Sequence, residues 1–179
     1  KSYAIIGASE KKDSLGYNIA DNFYHKFKGK TYFVNAKGGK LFDQPIYKSA
    51  SEIPDTIEGA VIAISAKFTV DSLKQCLERG AKWVTIVPGG FRETGTKEGI
   101  AAEAEIRRLA EQYKCRIVGP NCMGVYDPRS VDTLFIGERG LSKPSIGNVG
   151  LFSQSGALGC SLLNELSGAI HENWISKFI

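Results

Sequence analysis

Short apolar runs recur along the chain, and most are bounded by glycine or polar residues. Runs of four or five residues rich in Val, Ile and aromatic side chains predict buried β-strands. Five of them lie at 3–6, 31–34, 60–64, 83–87 and 115–118. Between the strands, apolar residues recur every three or four positions, which predicts helices with one apolar face. These helices cover 17–28, the segment from Thr69 to about Gly80, and 97–113.

The alternation of strands and helices predicts an α/β fold. The strands are apolar throughout, as in "AVIAI" at 60–64, and such strands are typical of a parallel sheet covered on both faces. Right-handed crossovers between parallel strands then give a Rossmann-like, doubly wound parallel sheet. We therefore assign residues 1–126 to one Rossmann-like domain.

The pattern changes after residue 126. Residues 127–146 are rich in Pro, Gly, Ser and charged side chains, which predicts a linker or an irregular excursion. The stretch "NVGLFSQSGALGCSLLNEL" then predicts a strand, a turn and a helix, and the final "WISKFI" predicts the entry into another strand. We therefore expect 147–179 to be the beginning of a second α/β domain that is incomplete in this chain.

Composition excludes several classes of function. The formal net charge of the 179 residues is +4, which is too small to indicate a nucleic-acid-binding surface. No apolar stretch approaches the roughly 20 residues of a membrane span, and no signal peptide is recognisable. The four cysteines form no C-x-x-C pair and no histidine lies at ligand spacing, so no metal site is expected. Together these features predict a cytoplasmic protein with reduced thiols and with neither nucleic-acid nor membrane partners.

Small and flexible residues follow every predicted strand. Glycine allows a ligand to approach the backbone closely, and ligands of open α/β sheets bind beyond the carboxyl ends of the strands. We therefore predict a shared ligand groove along this edge, although strand–helix loops are also rich in glycine for turn formation. The five loops are Gly7-Ala8-Ser9, "NAKGGK", Ser65-Ala66, "PGGFRETG" and "GPNCMG".

The loop after the second predicted strand indicates the kind of ligand. NAD-binding sheets usually carry Asp or Glu here, where it binds a ribose hydroxyl. This chain has Asn35 instead, followed by Lys37 and Lys40. A ribose that bears a phosphate would suit this position, as in NADP or at the 3′-phosphate of coenzyme A. The alternative is two solvated lysines on a turn.

Two other loops carry residues that are reactive or charged. Cys122 in "GPNCMG" is a poor candidate for a nucleophile, because no base is near it in the sequence and the two histidines are His25 and His171. Arg92 and Glu93 follow the fourth predicted strand, where they can either contact a ligand or cap the turn.

The motif "SQSG" at 153–156 opens the last predicted helix. Ser153 and Ser155 precede this helix, which begins at about Gly156. A helix N-terminus flanked by hydroxyl groups attracts anions. Ordinary N-capping by Ser155 explains the same residues equally well.

Taken together, the motifs resemble one enzyme family. "GAS…LGYN", "VNAKGG", "PGGFRETG", "GPNCMGV" and "VDTLF…RG…KP…GNVGLFSQSGALG" are similar to the α part of NDP-forming acyl-CoA synthetases. The nearest match is with archaeal-type ADP-forming acetyl-CoA synthetases, and succinyl-CoA synthetase α subunits are more distant. The resemblance covers essentially the whole chain, and "GPNC" and "SQSGALG", in this order and spacing, are its most specific parts.

The resemblance implies a CoA-binding Rossmann-like domain followed by the start of a flavodoxin-like ligase domain. It implies the reaction acyl-CoA + ADP + phosphate ⇌ carboxylate + CoA + ATP, through an acyl phosphate and a phosphohistidine. In the family that histidine lies beyond the part seen here, so this chain is expected to hold no catalytic residue and to be inactive alone. ADP or ATP and Mg²⁺ are expected on an ATP-grasp domain, fused or in a separate subunit, and the assembly is expected to be oligomeric.

The binding residues of the family map onto this chain by position. Where the family often has proline, this chain has Ala36 and Ser65, which bears on affinity for CoA and not on fold. The implied phosphate-binding residues are Ser153, Ser155 and Gly156. The expected coenzyme A site, in which Asn35 is included for its place after the second strand, comprises Gly7, Ser9, Ser14, Leu15, Gly16, Asn35, Lys37, Ser65, Ala66, Val87, Pro88, Gly89, Asn121, Cys122 and Met123.

Two other functions share these features. A similar region occurs as a regulatory CoA-binding module in some protein lysine acetyltransferases. An NADP-binding redox domain would also use the lysines after the second strand. A dinucleotide fingerprint that begins at Gly7 requires glycine at positions occupied here by Ser9 and Lys12, which disfavours a nicotinamide site.

Overall fold

The computed structural model describes residues 1–137, 140–144, 146–168 and 175–179. Its larger sheet comprises β1 (Ser2–Ile6), β2 (Lys30–Val34), β3 (Gly39–Leu41), β4 (Gln44–Tyr47), β5 (Gly59–Ile62), β6 (Trp83–Ile86) and β7 (Arg116–Val118). The α-helices are α1 (Leu15–Lys26), α2 (Ala66–Glu78), α3 (Lys97–Tyr113) and α4 (Gly156–Gly168). The strand order is β3-β4-β2-β1-β5-β6-β7, and all pairings are parallel except that of β3 with β4. The predicted Rossmann-like, mostly parallel sheet is therefore confirmed.

Helices cover both faces of this sheet. Successive side chains of a strand point to opposite faces, and the central strand β1 shows the effect. Ile5 packs with α1, whereas Ala4 and Ile6 pack on the side of α2 and α3. Ile5 is fully buried and Ile6 is 4% exposed. Burying one such side chain contributes roughly 1.5–3 kcal/mol, so each strand stabilises two helical layers at once.

The strands of this sheet that were predicted lie within two residues of their predicted bounds, but two helices begin earlier than predicted. α1 starts at Leu15 and not at 17, because the Ser14 hydroxyl caps it by accepting a hydrogen bond from the helix backbone (3.2 Å). α2 starts at Ala66 and not at Thr69. Leu15 and Ala66 stand four positions before Ile19 and Val70, so the apolar spacing extends one turn further than predicted. The bounds of α3 agree with the prediction.

An unpredicted hairpin, β3–β4, widens the sheet beside β2. Its turn is formed by Phe42 and Asp43, which both have positive φ angles, of 50° and 61°. This conformation is uncommon for a bulky residue, and here the Phe42 ring stacks on Tyr24 with the centroids 4.6 Å apart. One consequence is that Lys40 lies in β3 and is not part of the loop after β2.

The segment predicted to be a linker contributes to a second sheet. In place of an irregular excursion, β8 (Tyr126–Asp127) and β9 (Val131–Asp132) form an antiparallel hairpin. They join β10 (Ile146–Leu151) and β11 (Ile175–Phe178) in the order β10-β11-β8-β9. Since α4 follows β10, and β11 is parallel to β10, the predicted strand, helix and final strand are confirmed. The predicted boundary at residue 126 falls within β8, and the division into domains stays a prediction.

A buried ion pair holds this segment against α1. Lys143 Nζ lies 2.5 Å from Asp132 Oδ2, and the two side chains are 6% and 5% exposed. Lys143 also donates to Asn22 Oδ1 (3.2 Å), and Asn22 Nδ2 donates to the Leu134 carbonyl (2.9 Å). Burial raises the pKa of Asp132, and the neighbouring Lys143 acts against that rise. Buried charges require such partners, so the segment is packed on α1 and is not a free connector.

Two negative findings apply to the described ranges. None of their helices is both long enough and apolar enough to cross a membrane. Their His, Cys, Asp and Glu side chains do not gather in groups of three or more that could hold a metal ion.

Candidate functional site

The first loop brings the start of α1 against the end of β1. Gly7 has a φ of +98°, and its N–H donates to the Val34 carbonyl (2.8 Å). A Cβ on Gly16 would overlap the Gly7 carbonyl oxygen, so only glycine permits this approach of helix and strand. Ser14 caps the helix that begins at Leu15. The first turn of α1 is therefore held at the carboxyl edge of the sheet.

Asn35 connects the first and second loops. Its Nδ2 donates to the Ala8 carbonyl (2.8 Å), and its Oδ1 accepts from the Lys37 N–H (3.0 Å). Both polar groups of this side chain are thus used within the protein, and Asn35 shapes the loops. Ser9 Oγ accepts from the Lys11 N–H (3.1 Å). A hydroxyl that accepts one hydrogen bond can still donate another, so Ser9 keeps a proton for a ligand.

A small cavity of about 210 Å³ lies between these two loops. Lys37 and Lys11 bring two positive charges to it, and Glu10 brings one negative charge. Lys37 is exposed to solvent. The net positive charge suits a phosphate group. The lining residues are Ala8, Ser9, Glu10, Lys11, Asn35, Lys37, Gly38 and Ile46.

A larger cavity of about 890 Å³ lies beyond the carboxyl ends of β6 and β7, beside the start of α4. None of the described residues that line it is charged. Its predicted lining residues are Leu15, Val87, Pro88, Gly89, Asn121, Cys122, Met123, Ser153 and Gly156. Other residues line this cavity although the sequence did not predict them, and they include Phe135, Phe152, Gln154, Phe178 and Ile179. Such a lining suits a long, neutral and partly apolar segment of a ligand.

The loops after β6 and β7 are tied together at the wall of this cavity. The Asn121 N–H donates to the Pro88 carbonyl (2.9 Å), and Asn121 itself has a left-handed φ of +53°. A Cβ on Gly89 would lie 2.9 Å from Glu93 Oε1 and 3.1 Å from Asn121 Oδ1. Glycine at this position therefore lets a carboxylate and an amide approach the same stretch of backbone.

Cys122 does not have the properties of a nucleophile. Its Sγ donates to the Ile86 carbonyl (3.3 Å), and the Val118 carbonyl lies 3.7 Å away. Burial raises the pKa of this thiol to about 11. The thiolate is the reactive form of cysteine, and the structure places this protonated thiol in the cavity wall.

The motif "SQSG" meets the motif "GPNCMG" across the larger cavity. A Cβ on Gly156 would lie 2.5 Å from Met123 Cγ, so the start of α4 touches the loop after β7. Ser153 Oγ donates to the Ser155 carbonyl (3.0 Å), and Ser155 Oγ accepts from the Leu158 N–H (3.3 Å). Ser155 thus caps α4 in the ordinary way. Anion binding by this motif stays a prediction.

Ser65 and Ala66 are among the predicted residues that line neither of these cavities. The others are Gly7, Ser14, Gly16 and Ser155. Ser65 precedes α2, and its carbonyl accepts from the Thr69 hydroxyl (3.3 Å). A Cβ on Gly90 would lie 3.0 Å from Ala66 Cβ. Ala66 therefore lies against the loop after β6, and direct contact of either residue with a ligand stays a prediction.

The chain is similar in sequence to a known family of domains and to known enzyme subunits. A family model described as a CoA binding domain matches residues 1–128. The chain is 41% identical over 169 residues to the α subunit of acetate–CoA ligase [ADP-forming] I of Pyrococcus furiosus, which covers 91% of this chain and 36% of that subunit. For the α subunit of the corresponding ligase II of the same organism, identity is 37% over 181 residues, covering 100% and 38%. The chain thus spans less than half the length of these relatives.

Solved structures agree with this assignment. A Pyrococcus horikoshii protein matches with a TM-score of 0.88 and 38% identity, over 100% of this chain and 40% of that one. The dinucleotide forming acetyl-coenzyme A synthetase 1 of Ca. Korarchaeum cryptofilum, solved with phosphate and ADP, matches with a TM-score of 0.84 and 30% identity, over 99% and 37%. The predicted resemblance to archaeal ADP-forming acetyl-CoA synthetases is therefore confirmed. With its first 128 residues matched by the family model, this chain belongs to the CoA binding domain family.

Proposed function

We propose that this chain is the CoA-binding part of an ADP-forming acyl-CoA synthetase, a ligase. The observation that carries the proposal is the presence of two unlike cavities at one edge of the sheet. One is lined by lysines, and the other has no charged residue among its described lining. Coenzyme A has the matching form, since a phosphorylated nucleotide is joined to a long, neutral pantetheine arm. The family match and the ligases named above support the same choice.

The nucleotide end of CoA is proposed to bind at the smaller cavity. Lys37 would pair with the 3′-phosphate, and a charge-assisted hydrogen bond of this kind is worth about 1.5–3 kcal/mol. The pyrophosphate would lie across the first loop, beside Ser9 and the amides of the first turn of α1, where Ser14 and Gly16 set the geometry. A helix N-terminus favours an anion at this position.

The pantetheine arm and its acyl thioester are proposed to occupy the larger cavity. Its walls are the segment 87–89 after β6 and the turn 121–123 after β7. Ser153, Ser155 and Gly156 would bind the phosphoryl group of the reaction at the start of α4, because the partial positive charge of a helix N-terminus stabilises phosphate.

The remaining parts of the reaction are proposed to lie on other segments of a larger protein. Acyl-CoA, ADP and phosphate would give the carboxylate, CoA and ATP through an acyl phosphate and a phosphohistidine. Of the two histidines here, His25 lies on α1 with Nε2 3.4 Å from Asp21 Oδ1, and His171 is outside the described residues. We place the phosphohistidine in the rest of the ligase domain, and ADP or ATP with Mg²⁺ on an ATP-grasp domain, in an oligomeric cytoplasmic enzyme.

The two alternative functions receive less support. The relatives named above are acetate–CoA ligases, and the matched family model describes CoA binding. None of these findings points to a protein acetyltransferase or to an NADP-dependent oxidoreductase. The ligase is therefore the function we retain.

Titration calorimetry tests the proposal directly. The chain should bind CoA at least about tenfold more tightly than dephospho-CoA, because one charge-assisted contact to the 3′-phosphate is lost in the latter. Lys37→Ala should remove this preference and leave the midpoint of thermal unfolding nearly unchanged. Lys28→Ala is the matched control, since it removes an exposed lysine just beyond the far end of α1.

Two results would contradict the proposal. Equal affinities for CoA and dephospho-CoA would remove the role given to Lys37. Formation of ATP from acetyl-CoA, ADP and phosphate by the purified chain would contradict the placement of the catalytic histidine outside this chain.

A further inference from the structure

The tip of the loop after β6 is built around the carboxylate of Glu93. The Gly90 N–H donates to Glu93 Oε1 (2.5 Å), and the Phe91 N–H donates to Oε1 (3.2 Å) and Oε2 (3.1 Å). These backbone hydrogen bonds, the one from Gly90 foremost, lower the pKa of Glu93. The side chain is therefore ionised at neutral pH and accepts hydrogen bonds strongly.

The same carboxylate borders the wall of the larger cavity. Glu93 Oε1 and Asn121 Oδ1 both lie beside Gly89, in the space that a Cβ there would need, at the distances given above. Gly90 has a φ of +108°, a conformation that the side chains of other residues rarely adopt. The backbone at 88–90 thus has a fixed shape, and Glu93 supplies the acceptor that holds its amides in place.

The base of the loop is held by hydrogen bonds and packing that do not involve Glu93. The Thr94 hydroxyl donates to the Phe91 carbonyl (2.7 Å), and the Arg92 N–H donates to Glu103 Oε2 (3.3 Å). The Phe91 side chain is fully buried in the core. Removing the Glu93 carboxylate should therefore release the tip of the loop and leave its base, and the fold, in place.

We propose that Glu93 is a positioning residue for the pantetheine end of the ligand site: by holding the amides of Gly90 and Phe91, it fixes Pro88 and Gly89 against Asn121. The inference rests on the proposed function, because it assumes that the larger cavity receives the pantetheine arm. Glu93 acts through the backbone and needs no contact with the ligand itself. Displacements of about 1 Å in such a wall are enough to weaken binding substantially.

The test compares two ligands that differ in the part held by this wall. Coenzyme A has the pantetheine arm, whereas adenosine 3′,5′-bisphosphate is a nucleotide without it. Glu93→Ala should weaken CoA binding by about tenfold, the usual scale for a lost positioning hydrogen bond to a charged group, and should leave adenosine 3′,5′-bisphosphate within about twofold of wild type. Glu93→Gln should recover most of the affinity, since its amide oxygen can accept from the same N–H groups.

Glu98→Ala is the control for loss of charge, because Glu98 lies exposed in the first turn of α3. Unchanged CoA affinity in Glu93→Ala would overturn the inference. So would an equal loss for both ligands, which indicates a general change in the fold, or a Glu93→Gln variant as weak as Glu93→Ala. If the wild-type chain binds neither ligand, the proposed function itself is wrong. That result differs from each of the three outcomes that would overturn the role of Glu93 alone.

Discussion

Two helices in this molecule begin in the same way but are attached differently. α1 and α4 each start with a serine N-cap whose hydroxyl accepts a backbone N–H, at 3.2 Å for Ser14 and 3.3 Å for Ser155. Each also has a glycine in its first turn that lies against a neighbouring loop. Both starts lie at the edge of the sheets where the two cavities open.

The difference lies in what each glycine touches. Gly16 faces the backbone carbonyl of Gly7, whereas Gly156 faces the side chain of Met123. Gly7 directly follows β1, and its N–H is bonded to the Val34 carbonyl, so its backbone cannot move without disturbing that hydrogen bond. A methionine side chain has three rotatable bonds and adapts easily. The start of α1 is thus fixed by the sheet, while the start of α4 rests on a surface that can adjust.

The largest effect is expected from Gly16→Ala. The added Cβ would overlap the Gly7 carbonyl, so α1 would have to move away from β1 at a cost of more than about 3 kcal/mol. Urea unfolding would measure this loss. Gly95→Ala is a suitable control, since a Cβ there meets nothing within 4 Å and only the left-handed φ of +69° is strained, which costs about 1 kcal/mol. Equal losses in the two variants would show that the contact with Gly7 does not constrain α1.

The next largest loss of stability is expected at Lys143, which attaches α1 by bonding both Asn22 and Asp132. Lys143→Met leaves Asp132 buried without its ion-pair partner, which should lower the free energy of unfolding by about 3 kcal/mol. The control is Lys30→Met, which breaks an exposed pair with Asp55 (2.7 Å) and should cost less than about 1 kcal/mol. Similar costs for the buried and exposed pairs would contradict this account.

The same variant should show a distinctive dependence on pH. Without Lys143, and even with Lys26 nearby, burial should raise the pKa of Asp132 further above its value in the unfolded chain. The folded state then binds the proton more tightly, so the free energy of unfolding falls as pH rises through the interval between the two pKa values. The loss of stability as pH rises above the ordinary pKa of an aspartate, about 4, should be larger for Lys143→Met than for wild type. Parallel pH profiles would place the effect elsewhere.

A smaller effect is expected from Gly156→Ala. Met123 can rotate away from the added methyl group, so the cost should stay near or below about 1 kcal/mol. In a Met123→Ala background the same substitution should cost less, and a double-mutant cycle measures this coupling. A cost as large as that of Gly16→Ala would end the distinction between the two helix starts.

Effects of comparably small size, similar at the two sites, should come from removing the caps themselves. Ser14→Ala and Ser155→Ala each remove one capping hydrogen bond and should each cost about 1 kcal/mol. Asp at either position should restore most of the stability, because its carboxylate accepts the same N–H and interacts favourably with the helix dipole. Thermal unfolding of the four variants would test this, and a large difference between the two sites would reveal a further role for one hydroxyl.

The sequence predicted those parts of the fold that leave a local pattern. Apolar runs located the parallel strands that form the centre of the sheet, because these strands are buried on both faces. The hairpin β3–β4 and the hairpin β8–β9 were missed, since short strands show too little alternation. The attachment of 127–146 to α1 depends on Asn22 and Lys143, which are 121 positions apart, and a contact this distant leaves no local signal.

The candidate site, like the fold, was predicted only where it leaves a local pattern in the sequence. The loops that need glycine could be identified from composition, and the larger cavity collects nine of the residues predicted from motifs. Its apolar lining by Phe135, Phe152 and Phe178 comes from segments whose proximity arises only when the second sheet packs beside the first. The structure also shows that Asn35 joins two loops through both ends of its amide, and its contact with a ligand stays a prediction.

The burial of Cys122 has a consequence for the chemistry proposed at this site. A thiolate beside a bound thioester could capture the acyl group by exchange and so become acylated itself. Because its pKa is raised to about 11, Cys122 is almost wholly in the thiol form at neutral pH. Burial thus keeps this sulfur protonated, and a thioester bound at the proposed site would meet a thiol and not a thiolate at this wall.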